Sequence, residues 1–360
     1  MEEKIIMNNN STAPRVKKES KNKIRVEFDR APLKERLKAK YLNGFFYKKV
    51  LLAIFRFVLL LGISYIILFP FFYKISTSFM SPKDIMLLKL GTIKLIPKYA
   101  TIDTWKFLVV ENHYFRALLN TFLLSASTAL IQTFICAMIG YGFAKFKFKG
   151  NKLLFLFVVL TMIVPHQILA SSFTMHFMYP SILGIDISGL CKLLGFTQGF
   201  YNTYVPIFFL SLTGLAFKNG LFIFLMRQFY RGVPDELEES SYVDGYGVFK
   251  TFIKIILPLS VPMLITVFIL SFSWQWTDVF YTDLFLNASE HTLLTSSTFW
   301  DRIPASLAEI STQAGAYNKE FEAAIRNTAG MLIILPLIVM YLFCQRYLIQ
   351  GIEHSGFGGM

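Results

Sequence analysis

An all-α membrane protein with six transmembrane helices is the fold class the sequence predicts. Of its 360 residues, 54% are hydrophobic and 16% charged, whereas soluble domains carry roughly 25% charged residues. Uncharged runs occupy 57–73, 117–144, 153–185, 199–217, 255–277 and 327–345, counting histidine as neutral. About 20 apolar residues cross ~30 Å of hydrocarbon, so each run marks one crossing. Lys and Arg then gather in the segments between alternate runs, which sets the orientation.

The expected spans are 50–73, 117–144, 153–179, 199–226, 257–280 and 327–345, within a membrane domain of 50–350. The first run is short, but it extends through Arg56, whose long side chain can reach the headgroups. Residues 1–49 carry 14 basic and 6 acidic residues, and basic flanks stay on the cytoplasmic side. Lys145, Lys147, Lys149 and Lys152 follow the second span; Arg227, Arg231, Lys250 and Lys254 follow the fourth. Both termini and the loop 232–256 are therefore expected in the cytoplasm, with a short tail at 351–360. Residues 74–116 run against the pattern with seven basic residues, but that loop is long and holds Asp84, Asp103 and Glu111.

The tail divides in two. Residues 1–30, polar and mixed in charge, are expected to lack regular structure. From Pro32 onward, Leu33, Leu37 and Tyr41 recur on one face amid Lys and Arg, which reads as an amphipathic helix on anionic lipid. Nucleic acid is the competing partner for such a basic tail. Basic flanks of first spans are common, and the bilayer is the reading taken. The first apolar block begins near residue 50, so it reads as a retained span rather than a cleaved signal peptide.

Candidate substrate-path residues lie where polar groups interrupt the spans. Asn120 sits in the second span, beside the small residues Gly140 and Gly142 that pack helices in lipid. Pro165-His166-Gln167 breaks the third, and is either an ordinary kink or a substrate contact. Lys218-Asn219-Gly220 interrupts the fourth. About nine residues at about 1.5 Å each put Lys218 roughly 14 Å deeper than Arg227, where an ammonium faces a cavity or pairs with a partner. Trp274, Gln275 and Trp276 close the fifth span, either as interfacial anchors or as groups that stack on and bond to sugars. Residues 281–326 read as a polar, partly helical outer loop.

Several chemistries are missing. No Gly-x-x-x-x-Gly-Lys-Ser/Thr phosphate loop occurs, so ATP hydrolysis is not expected of this chain. His-Glu-x-x-His and Gly-x-Ser-x-Gly are absent too. Cys136, Cys191 and Cys344 are scattered without metal spacing, and no cofactor or metal site is expected. The spans nearly lack carboxylates, which disfavours a proton- or sodium-coupled carrier.

The loop at 234–256 reads as two short helices. Pro234 suits a first turn, and Asp235, Glu236, Glu238 and Glu239 lie at the positive end of the first helix dipole. Ser240 and Ser241 are small enough for another surface to approach. Gly245 can turn the chain. Phe249, Phe252, Ile253 and Ile256 give the second helix an apolar face, and Pro258 is expected to open span five.

Glu239-Ser-Ser-Tyr-Val-Asp-Gly245, nine residues, then Ile255-Ile-Leu-Pro258 resembles the cytoplasmic loop of importer-type ABC permeases. Asn120-Thr-Phe-Leu123, Gly140 to Gly150, Met162 to Gln167, Gly220 to Phe229 and Phe272 to Trp276 occur in the order of carbohydrate permeases of the maltose-transporter inner-membrane type. The resemblance covers roughly 50–350. It implies the type I ABC importer permease fold in a bacterial cell membrane, with a cytoplasmic coupling helix at 236–247. Glu236, Glu239, Ser240, Ser241, Asp244, Gly245 and Tyr246 are the implied coupling residues. Implied partners are a second homologous permease, an ATP-binding subunit dimer that holds ATP and Mg, and an extracellular solute-binding protein delivering an oligosaccharide. A non-sugar solute is the alternative cargo, and a secondary carrier the alternative class. The sequence departs from the family's two Ala with Ser240 and Ser241, is long at 180–201, and lacks the usual basic C-terminal end.

Overall fold

The computed structural model describes residues 15–19, 23–27, 44–91, 95–182, 185–193, 195–216, 218–286, 290–313, 315 and 319–352. They belong to two units, 1–71 and 72–360.

In the first unit, β1 (Arg15–Glu19) and β2 (Lys23–Glu27) form an antiparallel hairpin with Arg15 opposite Glu27 and Glu19 opposite Lys23. This corrects the expectation of irregular chain at 15–19 and 23–27; the rest of 1–30 lies outside the described residues. In the sequence, Val16 lies between Arg15 and Lys17, and Ile24 and Val26 alternate with charged residues, a period that suits paired strands. The amphipathic helix expected around 32–41 lies outside the described residues, as do 353–360. Helix α1 (Gly44–Ser78) starts in this unit and carries the first apolar run. From Leu51 to Leu68 its Leu, Ile, Val, Phe and Tyr side chains are exposed, a surface whose natural solvent is hydrocarbon.

The second unit continues with α2 (Pro82–Lys89) and α3 (Asp103–Glu111). Asp84, fully buried, accepts from the N–H groups of Lys98 and Tyr99 at 3.1 and 2.8 Å and so fastens the loop after α2. Helix α4 (Tyr114–Lys145) is the central element. It packs on α9 (Asn219–Arg231) and α12 (Val261–Trp276), with α5 (Asn151–Ile163) behind α9. Gly140 allows the closest approach: a Cβ there would lie 2.6 Å from Met226 Cβ and 2.9 Å from Arg227 N. Gly220 does the same between α9 and α5, where a Cβ would meet Thr161 Oγ1 at 2.5 Å. Small residues at such crossings are the usual basis of helix packing in lipid.

After α5 the chain turns at Pro165 through a single 3₁₀ turn into α6 (Ala170–Met178), a bend of 94°. The long 180–201 segment holds a two-residue hairpin, β3 (Ser181–Ile182) with β4 (Ile185–Asp186), and α7 (Ser188–Leu193). The expected fourth span is divided into α8 (Val205–Leu212) and α9, separated by Lys218 at φ 70°. A non-glycine residue in this region costs about 1–3 kcal/mol and survives only where the surroundings hold it.

Two helices follow α9, as the loop sequence implied: α10 (Glu236–Val243) and α11 (Val248–Leu259). Two details differ. Pro234 precedes α10 by two residues, and Pro258 closes α11 instead of opening the fifth span. A π-turn over Phe252–Ile256 absorbs Pro258, and the chain bends 80° at Ser260 before α12 starts with Pro262 in its first turn. The outer segment contains α13 (Phe280–Phe285), α14 (Ser297–Trp300) and α15 (Ala305–Gln313), followed by α16 (Lys319–Ile352). By length and composition, three described helices can cross a membrane, or five when each bent pair is one span.

Candidate functional sites

The first candidate, the loop after α9, is built from one anchored face and one exposed face of α10. Lys145, at the end of α4, is the anchor: its side chain is 6% exposed. Its Nζ donates to the Val233 carbonyl at 2.6 Å and lies 2.5 Å from Asp235 Oδ1. Glu238 is buried 3.6 Å from the same Nζ, beyond hydrogen-bond distance. The two carboxyls diverge accordingly. The hydrogen bond from Lys145 holds the exposed Asp235 below the usual carboxylate range. Burial pushes Glu238 up, with Lys145 offsetting only part of that. On the same face Ser241 Oγ meets Thr251 Oγ1 at 2.7 Å.

The opposite face is open. Glu236, Leu237, Glu239, Ser240, Tyr242, Val243, Asp244 and Gly245 are exposed, Val243 at 88%. Of the seven residues singled out in sequence, five are exposed, and Ser241 departs furthest from them. It is buried against α11, so its small size serves packing within the chain and not the approach of another surface. Tyr246 is half-buried with Lys250 Nζ 4.1 Å from its ring centroid. Gly245 takes φ 79°, and a Cβ there would meet nothing within 4 Å, so glycine is required by the turn and not by crowding.

A second candidate lies where the chain breaks. A cavity of ≈ 250 Å³ sits between the α5–α6 bend and the α8–α9 break, and His166, Gln167 and Lys218 all line it. Lys218 Nζ lies 4.7 Å from the centroid of the Trp274 ring, a cation–π distance. Gln275 and Trp274 line a smaller cavity of ≈ 20 Å³, with Gln132, Ser271, Asp278 and Tyr281. Ala216 borders both cavities, and His166 Nδ1 is hydrogen-bonded to the Tyr281 hydroxyl.

Two predicted path residues fall elsewhere. Trp276 is 2% exposed and donates from Nε1 to the Ile333 carbonyl of α16 at 3.0 Å, so it packs the helices and lines neither cavity. Asn120 donates to the Thr292 carbonyl at 2.9 Å and borders a separate apolar groove with Tyr204 and Phe208. Sequence reasoning missed Tyr281 and the chain Ser271–Gln132–Ser211, with bonds of 2.6 and 3.1 Å, which ties α12, α4 and α8 together. Gln132 was visible only as a polar residue in an apolar run.

A family profile described as binding-protein-dependent transport system inner membrane component matches residues 133–354. The chain belongs to this family. As a permease of that type it is 25% identical to the arabinooligosaccharide transport permease AraQ of Bacillus subtilis over 309 residues, covering 86% of this chain and 96% of the relative. It is 30% identical to the alpha-glucoside transport permease AglG of Rhizobium meliloti over 260 residues, 71% of this chain and 60% of the relative. The maltodextrin transport permease MalD of Streptococcus pneumoniae is 24% identical, covering 87% and 98%. Among solved structures, a chain of a bacterial ABC transporter involved in alginate import matches with TM-score 0.60 at 20% identity, covering 83% of this chain and 97% of that one. The permease shares that fold.

Proposed function

We propose that this permease is the membrane-spanning subunit of an ATP-driven oligosaccharide importer, and that α10 is the element through which an ATPase drives it. One observation carries the reading: α10 is clamped to its own chain by the Lys145–Asp235 bond at its start and by the Ser241–Thr251 pair, while Glu236, Glu239, Ser240 and Asp244 stay exposed. A surface held so firmly transmits displacement to α4 and α11 instead of absorbing it. The sugar relatives support the cargo class.

In this reading the permease has six spans, with α8 and α9 together making the fourth, and both termini are cytoplasmic. It pairs with a second homologous permease, rests on an ATP-binding subunit dimer that holds ATP and Mg, and receives solute from an extracellular binding protein. Closure of the ATPase dimer moves α10, and the cavities at Lys218 and Gln275 open alternately to each side.

Glu239→Lys and Gly245→Asp test this in the reconstituted complex. Asp adopts a positive φ more readily than most side chains, so the second variant changes the surface charge with the turn retained. Both should assemble and hydrolyse ATP without matching uptake. Normal coupled transport in both would remove α10 as the coupling element.

A further inference from the structure

The ≈ 250 Å³ cavity has a pronounced electrostatic bias. Its charged lining among the described residues is Lys218, with no Asp or Glu. Asp278, in the adjoining small cavity, is engaged elsewhere: it accepts from the N–H groups of Tyr281 and Thr282 at 3.3 and 3.2 Å, at the start of α13. Of the remaining lining, Gln167 and Thr161 carry side-chain groups that can hydrogen-bond hydroxyls, and most of the rest is apolar.

The backbone adds to the bias. Lys218 and Gly220 flank the start of α9, a helix of 13 residues that begins without a side-chain cap. Such a terminus presents partial positive charge and favours an anion.

We infer that the solute carried through this cavity is an acidic sugar, whose carboxylate is received by Lys218 at the start of α9. This rests on the importer reading and names its substrate class. A carboxylate matches the Lys218 ammonium in charge as well as in hydrogen bonding, whereas a neutral hydroxyl offers the bond alone. Trp274, against the Lys218 ammonium, positions it at the cavity wall.

The test uses the complete transporter with its binding protein in proteoliposomes. Probes are oligogalacturonate, oligoguluronate, oligomannuronate and glucuronate-containing xylooligosaccharides, each paired with its carboxyl-reduced neutral twin. At least one acid should be taken up about tenfold faster than its twin, a difference equal to one well-placed interaction. Lys218→Asn, which removes the charge and still suits a positive φ, should reduce that ratio to near one, and Lys218→Arg should keep the acid ahead. Neutral twins carried as well as the acids, or a ratio unchanged in Lys218→Asn, overturns the proposal and leaves the sugar importer reading standing. No uptake from either set, with ATPase activity intact, overturns this proposal, and the sugar importer reading then falls only if maltodextrin and arabinooligosaccharide are also refused.

Discussion

Ser241 Oγ lies 2.7 Å from Thr251 Oγ1, with both residues buried, and this hydroxyl pair clasps α10 to α11. Its neighbour Ser240 donates to the Leu237 carbonyl at 3.1 Å on the exposed face. Two adjacent serines in one motif therefore have different physics, although either preserves the small size the position tolerates.

Ser241→Ala should cost about 1–3 kcal/mol, because it leaves the Thr251 hydroxyl buried without its partner. Ser240→Ala should stay within about 0.5 kcal/mol of wild type. Thermal unfolding of the permease in nanodiscs reads both, and the double variant Ser241→Ala/Thr251→Val should recover part of the loss. Equal effects at the two serines would remove the clasp.

The α4–α9 crossing gives a sharper contrast. An added Cβ at Gly140 overlaps Met226 Cβ and Arg227 N, whereas at Gly142 it meets only Phe146 at 3.9 Å. Gly140→Ala should destabilise by about 1–3 kcal/mol, the usual range for overpacking. Gly142→Ala should be neutral or stabilising, since alanine lowers the helix penalty of glycine by about 1 kcal/mol. Melting temperatures that fall equally for both would contradict the crossing as described.

The junction beneath α4 should respond to acid with two opposite signs. Asp235 is held below its ordinary value by Lys145. Its contribution is thus fully present above the unfolded value of about 3.9 and is lost as pH falls through the lower folded value. Glu238 is raised by burial, so its ionised form opposes folding above the raised value, and this cost vanishes below the unfolded value of about 4.3. Asp235→Asn should be less stable than wild type at pH 7.5, with the gap closing toward pH 3. Glu238→Gln should gain on wild type as pH rises from 4 to 7.5. Melting curves from pH 7.5 down to about pH 2 decide it: an Asp235→Asn gap that stays constant below about pH 3.9, or a Glu238→Gln gap that stays constant above about pH 4.3, overturns that assignment.

What the sequence made legible was the local part of this architecture. Long uncharged runs announced α1, α4 and α16, and Pro165 announced the 94° bend because proline removes a donor. Lys218 marked the break before α9. The bend at Ser260 was hidden, because Pro258 reads equally well as a helix start and as a residue accommodated by a π-turn. The Lys145 anchor was hidden more deeply. Lys145 and Asp235 lie 90 residues apart, and each alone reads as an ordinary charge at a membrane flank. Glu238 reads as one more acid at a helix start, and only the tertiary fold buries it while leaving Glu239 exposed.

Trp274 and Trp276 illustrate the same limit and permit the last test. Two positions on a helix differ by about 200°, so a motif naming both cannot assign them one role. Trp276 is buried in the core formed by Leu108, Phe272, Phe299 and Phe321, with its indole N–H on the Ile333 carbonyl. Trp274 is 43% exposed and holds Lys218 against its ring. Trp276→Ala should therefore cost about 3–5 kcal/mol and lower the melting temperature before any transport defect can be measured. Trp276→Phe keeps most of the buried area and should cost far less. Trp274→Ala should leave the melting temperature nearly unchanged while reducing uptake at saturating ATP. A thermally fragile Trp274→Ala with normal uptake would reverse the two roles.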